Sequence, residues 1–275
     1  MKKTLRQLAV PEARDLLRSL DGASTELAPV TGVGFPEGME WRFKKLEGIR
    51  VRDVDCGGPK IFGSLLRRPL IKGCSFQDVI LDGLAVWRAD FVECRFEATS
   101  IGKRYRGLFK KSSFVGCSFI DCQIQGVTFD GSSLTRCHFE RSHLSDVRWD
   151  RCVLKELDGS GRMKAVGFVG CELRQVDLSA MAFSGCSFLD NNAVDLGLPD
   201  NPTNFLLAPH VLLEAQDALE KQLSPMGFEQ YVVLARILSQ SRSDLLVDES
   251  LFQRVPEADR SVVMATLFEL HRPGA

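Results

Sequence analysis

Through the middle of the chain, an apolar residue stands at every fifth position. The residue two places before each of these centres is uncharged, although 26% of the whole chain is charged. The other three positions of the unit carry the charged residues, the histidines and glycine, which is typical of solvent-facing and turn positions. The twenty centres fall in three registers: Phe76, Leu81, Val86, Phe91, Phe96, Ile101; Phe114, Phe119, Ile124, Phe129, Leu134, Phe139, Leu144, Trp149, Leu154; and Phe168, Leu173, Leu178, Phe183, Phe188.

A period of five matches neither the 3.6-residue period of a helix nor the two-residue period of a strand. Each unit must therefore turn a corner, and four corners close a square. Residues twenty apart then stack at the spacing of neighbouring strands, about 4.8 Å. The spacing predicts that Phe119 lies beneath Phe139 and that Phe129 lies beneath Trp149.

This pattern resembles the pentapeptide-repeat family, and the resemblance covers about residues 71–195. It implies a mainly β fold, a right-handed quadrilateral β-helix, in which the centre residue and the residue two before it point inward. The position just before the centre departs from the family's preferred Asp or Asn. Asp90 and Asp177 match that preference, whereas His138 and Arg148 do not.

The regions on either side of the clear repeats follow other patterns. Residues 1–40 predict a short helix entered at Pro11, followed by a loop rich in Gly and Pro. The five-residue period continues less regularly over residues 41–70, which we interpret as degenerate coils or a cap. The predicted β-helix therefore covers residues 41–195.

Beyond the repeats, residues 196–275 have a helical apolar period and predict an α-helical C-terminal domain. Ser224 followed by Pro225 is typical of a helix start. An open solenoid end exposes its core and needs a cover, so capping is the simplest role for this domain. A homodimer through these helices and docking of a partner remain alternatives.

Eight of the nine cysteines occupy the inward position two places before a centre, where Cys acts as a small hydrophobic residue. Stacked pairs such as Cys74 with Cys94 have a spacing that a disulfide tolerates, but a reducing cytoplasm favours free thiols. His138 and His143 are five residues apart, hence on adjacent faces, and do not converge on one metal ion. Because known metal, phosphate and nucleophile motifs are absent, we expect no cofactor, no metal and no enzymatic activity.

The period breaks twice, and each break predicts a loop. The step from Ile101 to Phe114 is 13 residues, and the step from Leu154 to Phe168 is 14. Loops on a rigid shaft are free to carry recognition, although tolerated insertions explain them equally well. The candidate partner-binding residues in and beside these loops are Lys103, Arg104, Tyr105, Arg106, Lys110, Lys111, Asp158 and Arg162.

Composition and charge exclude some classes of function. The chain of 275 residues has 35 Lys and Arg against 36 Asp and Glu, which disfavours a general nucleic-acid binder. Charge is nevertheless uneven: residues 1–69 carry +4, residues 70–195 carry 0 and residues 196–275 carry −5. No apolar stretch approaches the length of a membrane span, and the first residues do not resemble a secretory segment. We therefore expect a cytoplasmic protein that does not contact a membrane.

A stiff surface without a pocket favours binding over catalysis, and the family resemblance implies two uses. Some members protect DNA gyrase, a type II topoisomerase, by mimicking duplex DNA, and others are immunity proteins that neutralise a cognate antibacterial toxin. Mimicry needs acidic faces, whereas this shaft is neutral with a basic loop. The sequence therefore favours a bacterial immunity protein that binds a toxin, with a nuclease suited to the acidic residues 196–275. The DNA mimic is the alternative, and direct nucleic-acid binding is not expected.

Overall fold

The computed structural model of the chain is a four-sided β-solenoid with a short N-terminal helix and a helical C-terminal region. This confirms the predicted fold class. The structure describes residues 6–7, 9–20, 30–31, 33–35, 40–41, 46–47, 50–52, 55–57, 60–62, 65–102, 105–200, 203–240 and 245–271.

Each coil contributes one short strand to each of four faces, and every strand pairs in parallel with its counterparts in the neighbouring coils. Face 1 contains Val30–Thr31, Arg50–Arg52, Leu70–Lys72, Asp90–Val92, Ser113–Val115, Ser133–Thr135 and the first parts of Val153–Lys164, Glu172–Ser184 and Asn192–Gly197. Face 2 contains Arg6–Gln7, Val33–Phe35, Asp55–Gly57, Ser75–Gln77, Arg95–Glu97, Ser118–Ile120, the first part of His138–Ser145 and the continuations of the long face 1 strands.

The other two faces complete the square in the same way. Face 3 contains Glu40–Trp41, Lys60–Phe62, Ile80–Asp82, Ser100–Ile101, Gln123–Gln125 and the last parts of His138–Ser145, Val153–Lys164 and Glu172–Ser184. Face 4 contains Leu46–Glu47, Leu65–Arg67, Ala85–Trp87, Gly107–Lys110, Val127–Asp130, Arg148–Asp150, Gly167–Val169 and Ser187–Leu189. Paired strands at residues 50–67 show that the coil begins before the clear repeats.

Most corners are made by the residue two places after a centre, which takes a left-handed backbone conformation. Asp78 and Arg88 have a φ of 53° at such corners. The corner N–H donates to the neighbouring coil, as from Asp78 to the carbonyl of Glu97 at 3.0 Å. Because the backbone N–H of the corner residue is hydrogen-bonded and its side chain points outward, this position accepts Asp, Glu, Arg, Lys, Ala or Gln as well as Gly.

The inside of the square is filled, as predicted. All twenty centres and all twenty residues two places before them are buried. Aromatic rings stack from coil to coil: Phe119 and Phe139 have centroids 4.7 Å apart, and Phe129 and Trp149 have centroids 4.0 Å apart. Burial of each Phe or Leu contributes roughly 1.5–3 kcal/mol before conformational entropy is subtracted. Eight cysteines lie inside as free thiols: Cys74, Cys94, Cys117, Cys122, Cys137, Cys152, Cys171 and Cys186.

At the first break in the period, the structure places a smaller insertion than the sequence predicts. Phe109 is itself a buried centre and pairs with Val86 and Phe129, so Lys110 and Lys111 belong to the coil wall. The insertion is three residues within residues 102–106. It leaves the wall at Gly102, which has a φ of +78° and whose added Cβ would lie 2.3 Å from the carbonyl oxygen of Gln125.

At the second break, the predicted loop is wrong. Residues 158–162 lie within the continuous strand Val153–Lys164, and Gly159 takes the centre position beside Phe139. The coil is one residue shorter here because Gly161, with a φ of +126°, lies against the neighbouring strand. A Cβ on Gly161 would approach the carbonyl oxygen of Ser142 to 2.0 Å. The glycines that predicted a flexible loop instead shorten a rigid corner.

Helices flank the solenoid at both ends of the described chain. The N-terminal helix α1 spans Val10–Leu20. The C-terminal region contains α2 (Val211–Glu214), α3 (Gln216–Leu219), α4 (Pro225–Leu238) and α5 (Glu257–His271), with a 3-10 turn at Glu249–Phe252 and paired strands Phe205–Leu207 and Leu245–Val247. None of the helices in the described ranges is long and apolar enough to cross a membrane.

The C-terminal region sits on the last coil. The Asn204 side chain bonds the backbone N–H and carbonyl of Phe183, both at 3.1 Å. A carboxylate oxygen of Asp248 accepts the N–H of Gly185 at 2.7 Å, and Leu246 packs with the solenoid core. The Ser224 hydroxyl begins α4 by accepting the N–H of Gly227 at 3.1 Å.

Candidate binding surface on face 4

Two neighbouring columns of side chains form a basic surface on face 4. In each unit the residue after the centre points outward, and the next residue is the corner. Over three successive coils these two positions hold five cations and one tryptophan, which we call the basic patch. Its members are Arg67, Arg68, Trp87, Arg88, Lys110 and Lys111.

Trp87 is the centre of the basic patch. Its side chain is 40% exposed, and strand pairing places Arg67 on one side and Lys110 on the other. The guanidinium carbon of Arg67 lies 5.4 Å from the ring centroid, and Nζ of Lys110 lies 5.9 Å from it. These are cation–π distances, so the ring holds both cations in place. All six residues line a depression of about 300 Å³.

The charges of the patch are largely uncompensated. Lys110 forms an ion pair with Asp130 at 3.0 Å. Among residues whose side chains the structure describes, no carboxylate pairs with Arg67, Arg68, Arg88 or Lys111. The next coils of the same face differ, because Asp130 also pairs with Arg151 at 2.7 Å. Hydrogen bonds from Arg151 and Lys110 hold the pKa of Asp130 below its usual range.

Face 4 and face 2 lie on opposite sides of the square and carry opposite charge. Between residues 66 and 200, face 4 has seven basic and three acidic residues: Arg67, Arg68, Arg88, Lys110, Lys111, Arg148 and Arg151 against Asp130, Asp150 and Asp190. Face 2 has two basic and six acidic residues: Arg95 and Arg141 against Asp78, Glu97, Asp121, Glu140, Asp158 and Asp177. The neutral net charge of the shaft therefore hides a separation of charge between faces.

Half of the predicted binding residues lie around face 4. Tyr105 is 64% exposed and, with the exposed Arg106, occupies the corner between faces 3 and 4. The backbone N–H of Tyr105 donates to the buried Asp82 carboxylate at 2.8 Å, which ties the insertion to the wall. Lys110 and Lys111 lie at the other edge of face 4. Lys103 and Arg104 lie outside the described residues.

The other two predicted residues lie elsewhere. Asp158 is on face 2, where its carboxylate contacts Nδ1 of His138, and Arg162 is on face 3 in register with His143. The six candidates that the structure describes therefore do not form one site. The prediction also missed Arg67, Arg68, Trp87 and Arg88, which lie on the two preceding coils of the same face and come beside Lys110 and Lys111 only once the three-residue insertion is placed.

Face 2 brings together one column with the residue types of a hydrolytic triad. Ser118, His138 and Asp158 stand in register on successive coils. No hydrogen bond between described residues joins Ser118 to His138. The backbone N–H groups of His138 and Asp158 already donate to the carbonyls of Cys117 and Cys137, at 3.0 and 3.3 Å. These amides are not available to stabilise an oxyanion, so the column is a polar outer ladder.

Five of the eight buried thiols have a raised pKa, whereas hydrogen bonds with stacked thiols lower the pKa of Cys137 and Cys171. Burial raises the pKa of Cys122 to about 11. A hydrogen bond with Cys117, together with burial, raises the pKa of Cys94 to about 12. The described residues contain no group of three or more His, Cys, Asp or Glu placed to hold a metal ion. The eight cysteines at the inward position are buried and pack in the core, as that position predicts.

No known protein-family profile matches the chain, and no curated protein sequence matches it. Among solved structures, QnrB1, a plasmid-mediated fluoroquinolone resistance protein, is 12% identical, with a TM-score of 0.33 over 66% of this chain and 88% of its own. HetL, a pentapeptide repeat protein involved in heterocyst differentiation regulation from the cyanobacterium Nostoc sp. strain PCC 7120, is 12% identical, with a TM-score of 0.29 over 70% of this chain and 98% of its own. At these values the likenesses carry no functional argument.

Proposed function

We propose that the protein is a non-enzymatic binding protein that docks on another protein through the outer side of its shaft. The observation that carries this proposal is the separation of charge between faces 2 and 4 above a filled interior. A packed wall is rigid, so little ordering entropy is lost when its side chains meet a partner. Opposite charge on opposite sides orients an approaching protein and selects among partners.

The docking surface that we favour runs from the corner between faces 3 and 4 across face 4. It presents the exposed Tyr105 beside Arg106, followed by Lys110 and Lys111. Tyr and Arg are enriched at the energetic centres of protein interfaces. Because this surface is basic, the complementary region of the partner is acidic.

For the biological role, we propose an immunity protein that neutralises a cognate antibacterial toxin in the bacterial cytoplasm. The acidic residues 196–275 suit a toxin with a second, basic surface, such as a nuclease. Protection of gyrase by DNA mimicry is the weaker candidate, because face 4 is basic where duplex DNA is uniformly negative.

Two assays with the full chain separate these roles. The first measures whether the purified chain binds the product of the adjacent gene and whether its co-expression blocks the toxicity of that product in cells. The second measures DNA supercoiling by gyrase in the presence of a quinolone. Neutralisation without gyrase protection supports the immunity role, and gyrase protection without neutralisation overturns it.

Charge reversal tests the docking surface. Arg106→Glu with Lys111→Glu should weaken the partner complex at least about tenfold, because two interfacial cations become repulsive. Arg136→Glu with Lys155→Glu reverses the same charge on face 1 and should leave affinity unchanged. Equal loss in both variants would show that only overall charge matters and would remove face 4 as the docking surface.

We also propose that two copies of the chain associate through α4. Met226, Val233 and Ile237 are 65%, 44% and 58% exposed and recur along one side of this helix. The exposed Glu229 and Arg236 lie along one edge of that apolar stripe, and their midpoint is one residue from the middle of α4. An antiparallel two-fold pairing therefore brings Glu229 of one copy to Arg236 of the second copy.

Light scattering tests the dimer through a charge swap. Glu229→Arg or Arg236→Glu alone should yield monomers, because each places like charges together at the two-fold pairing. Combining the two substitutions restores opposite charges and should restore the dimer. Dimers in both single variants, or monomers in the double variant, would contradict pairing through this face of α4.

A further inference from the structure

The basic patch gathers unpaired cations on one face. Most other outer cations of the described shaft lie against carboxylates, as Arg141 does with Asp121 at 2.8 Å and Arg95 with Glu97 at 3.0 Å. Within the patch, the corners Arg68, Arg88 and Lys111 follow one another on successive coils with no acidic side chain described between them. Like charges at the spacing of neighbouring strands repel one another.

The coil geometry does not require these cations. Corners with the same left-handed backbone hold Gln175, Ala98 and Asp78 elsewhere in the shaft. The fold would accept neutral or acidic residues at the corners of the patch. The accumulation of uncompensated positive charge therefore points to a ligand that neutralises it.

The shape of the patch limits the size of that ligand. The depression of about 300 Å³ is a concave site open to solvent, and the six residues of the patch line it. This volume lies at the lower end of the range for small-molecule sites. A flat protein surface would not fill it, whereas a compact anion would.

We propose that the basic patch binds an oligophosphate: two or three linked phosphate groups, either free or carried by a nucleoside. Arginine guanidinium groups bond phosphate oxygens in pairs, and Arg67, Arg68 and Arg88 supply three of them. In an oligophosphate, neighbouring phosphate groups share one oxygen atom, so the negative charges lie close together. They can therefore contact cations that are about 4.8 Å apart on neighbouring coils. Carboxylates on one side of an extended peptide are farther apart, at about 6.6 Å.

This inference goes beyond the proposed function, because the site needs no protein partner. It shares Lys110 and Lys111 with the proposed docking surface, so a bound oligophosphate would neutralise the charge of that edge of face 4. A partner that requires the bare cations would then compete with the oligophosphate. The test of the site uses the chain alone, so its failure leaves the docking of a protein partner untouched.

Calorimetric titration of the full chain with sodium tripolyphosphate tests the proposal. We expect one ligand per chain and a rise in melting temperature on binding. Arg88→Gln with Lys111→Gln should weaken binding by about tenfold for each cation removed. The control Arg136→Gln with Arg148→Gln removes two exposed cations outside the depression and should bind like the unaltered chain. Without ligand, the first variant should melt no lower than the unaltered chain, because repulsion has been relieved.

Two further probes distinguish the sources of the phosphates. Adenosine triphosphate binding as tightly as tripolyphosphate indicates that the phosphates alone are recognised, and tighter binding indicates a nucleoside carrier. Either result supports the site. The proposal is overturned if an octa-aspartate peptide binds more tightly than tripolyphosphate, if both variants lose affinity equally, or if several ligands bind per chain.

Discussion

Two stretches of face 4 share one interior and differ on the outside. Beneath both runs one continuous apolar column, with Leu66, Val86 and Phe109 under the first stretch and Phe129 and Trp149 under the second. Outside, the first stretch holds the uncompensated basic patch, while in the second Asp130 lies between Lys110 and Arg151. Since the core is apolar beneath both stretches, the fold does not determine the outer charges. A repeat protein can therefore alter its binding surface coil by coil with only a small change in stability.

The largest expected effect on stability comes from comparing a buried tryptophan of face 4 with an exposed one. Trp149→Ala should lower the free energy of unfolding by about 3–5 kcal/mol, because Trp149 is 2% exposed and packs between rings. Trp87→Ala removes a 40% exposed ring and should cost less than about 1 kcal/mol. Urea denaturation measures both. Similar losses would mean that the outer column also supports the fold.

A third substitution refines that result. Nε1 of Trp149 is buried without a hydrogen-bond partner among the described residues, and the neighbouring positions of its column are Phe. Trp149→Phe removes this unsatisfied donor while keeping a stacked ring. We expect it to be far less destabilising than Trp149→Ala.

A smaller effect on stability is expected in the second stretch of face 4, where Asp130 forms ion pairs, than in the core. Asp130→Asn should lower stability by no more than about 1 kcal/mol at pH 7, because the pairs with Lys110 and Arg151 are partly exposed. The folded-state pKa of Asp130 is depressed, so its contribution is present above the unfolded value of about 3.9 and is lost as the pH falls through the folded pKa.

The difference between Asp130→Asn and the unaltered chain should therefore shrink in acid. Urea denaturation at several pH values checks this, with Asp190→Asn on the same face as the control, for which we expect no effect. A difference that persists at low pH would indicate packing and not ion pairing.

The smallest expected effect concerns salt. Raising sodium chloride from about 0.05 M to about 0.5 M screens the repulsion within the basic patch and should raise the melting temperature by about 1–2 °C. In the Arg88→Gln, Lys111→Gln variant the rise should be smaller. Calorimetry of both proteins measures the melting temperatures. An equal rise with salt in the two proteins would show that the patch is not a source of repulsion.

The inside of the solenoid was predictable because burial imposes one residue class at every fifth position. The centres that escaped prediction are those next to a change in coil length. Phe109 was missed because the size of the insertion before it was unknown, and Gly159 because it has no apolar side chain. A glycine-rich segment predicts flexibility, whereas at Gly161 the missing Cβ permits close contact with Ser142.

The candidate site was predicted only in part, for a physical reason. Lys110 and Lys111 stand out in the sequence because they adjoin the inserted segment. Arg67 and Arg88 lie one or two coils away along the shaft, although strand pairing brings their units together. A charge sum along the sequence combines faces 2 and 4 and cancels their opposite charges. Only the coil length reveals which charges share a side.

Asn204 has a consequence for assembly. Its side-chain amide offers one acceptor and one donor to the backbone of Phe183, so a single side chain stands in for a strand of the next coil. Asp248 occupies the neighbouring N–H of Gly185. A bare final coil would present these groups to the first coil of another molecule, and parallel strands could then add without limit. The C-terminal region thus occupies backbone groups of the last coil that would otherwise be open to pairing with a second molecule.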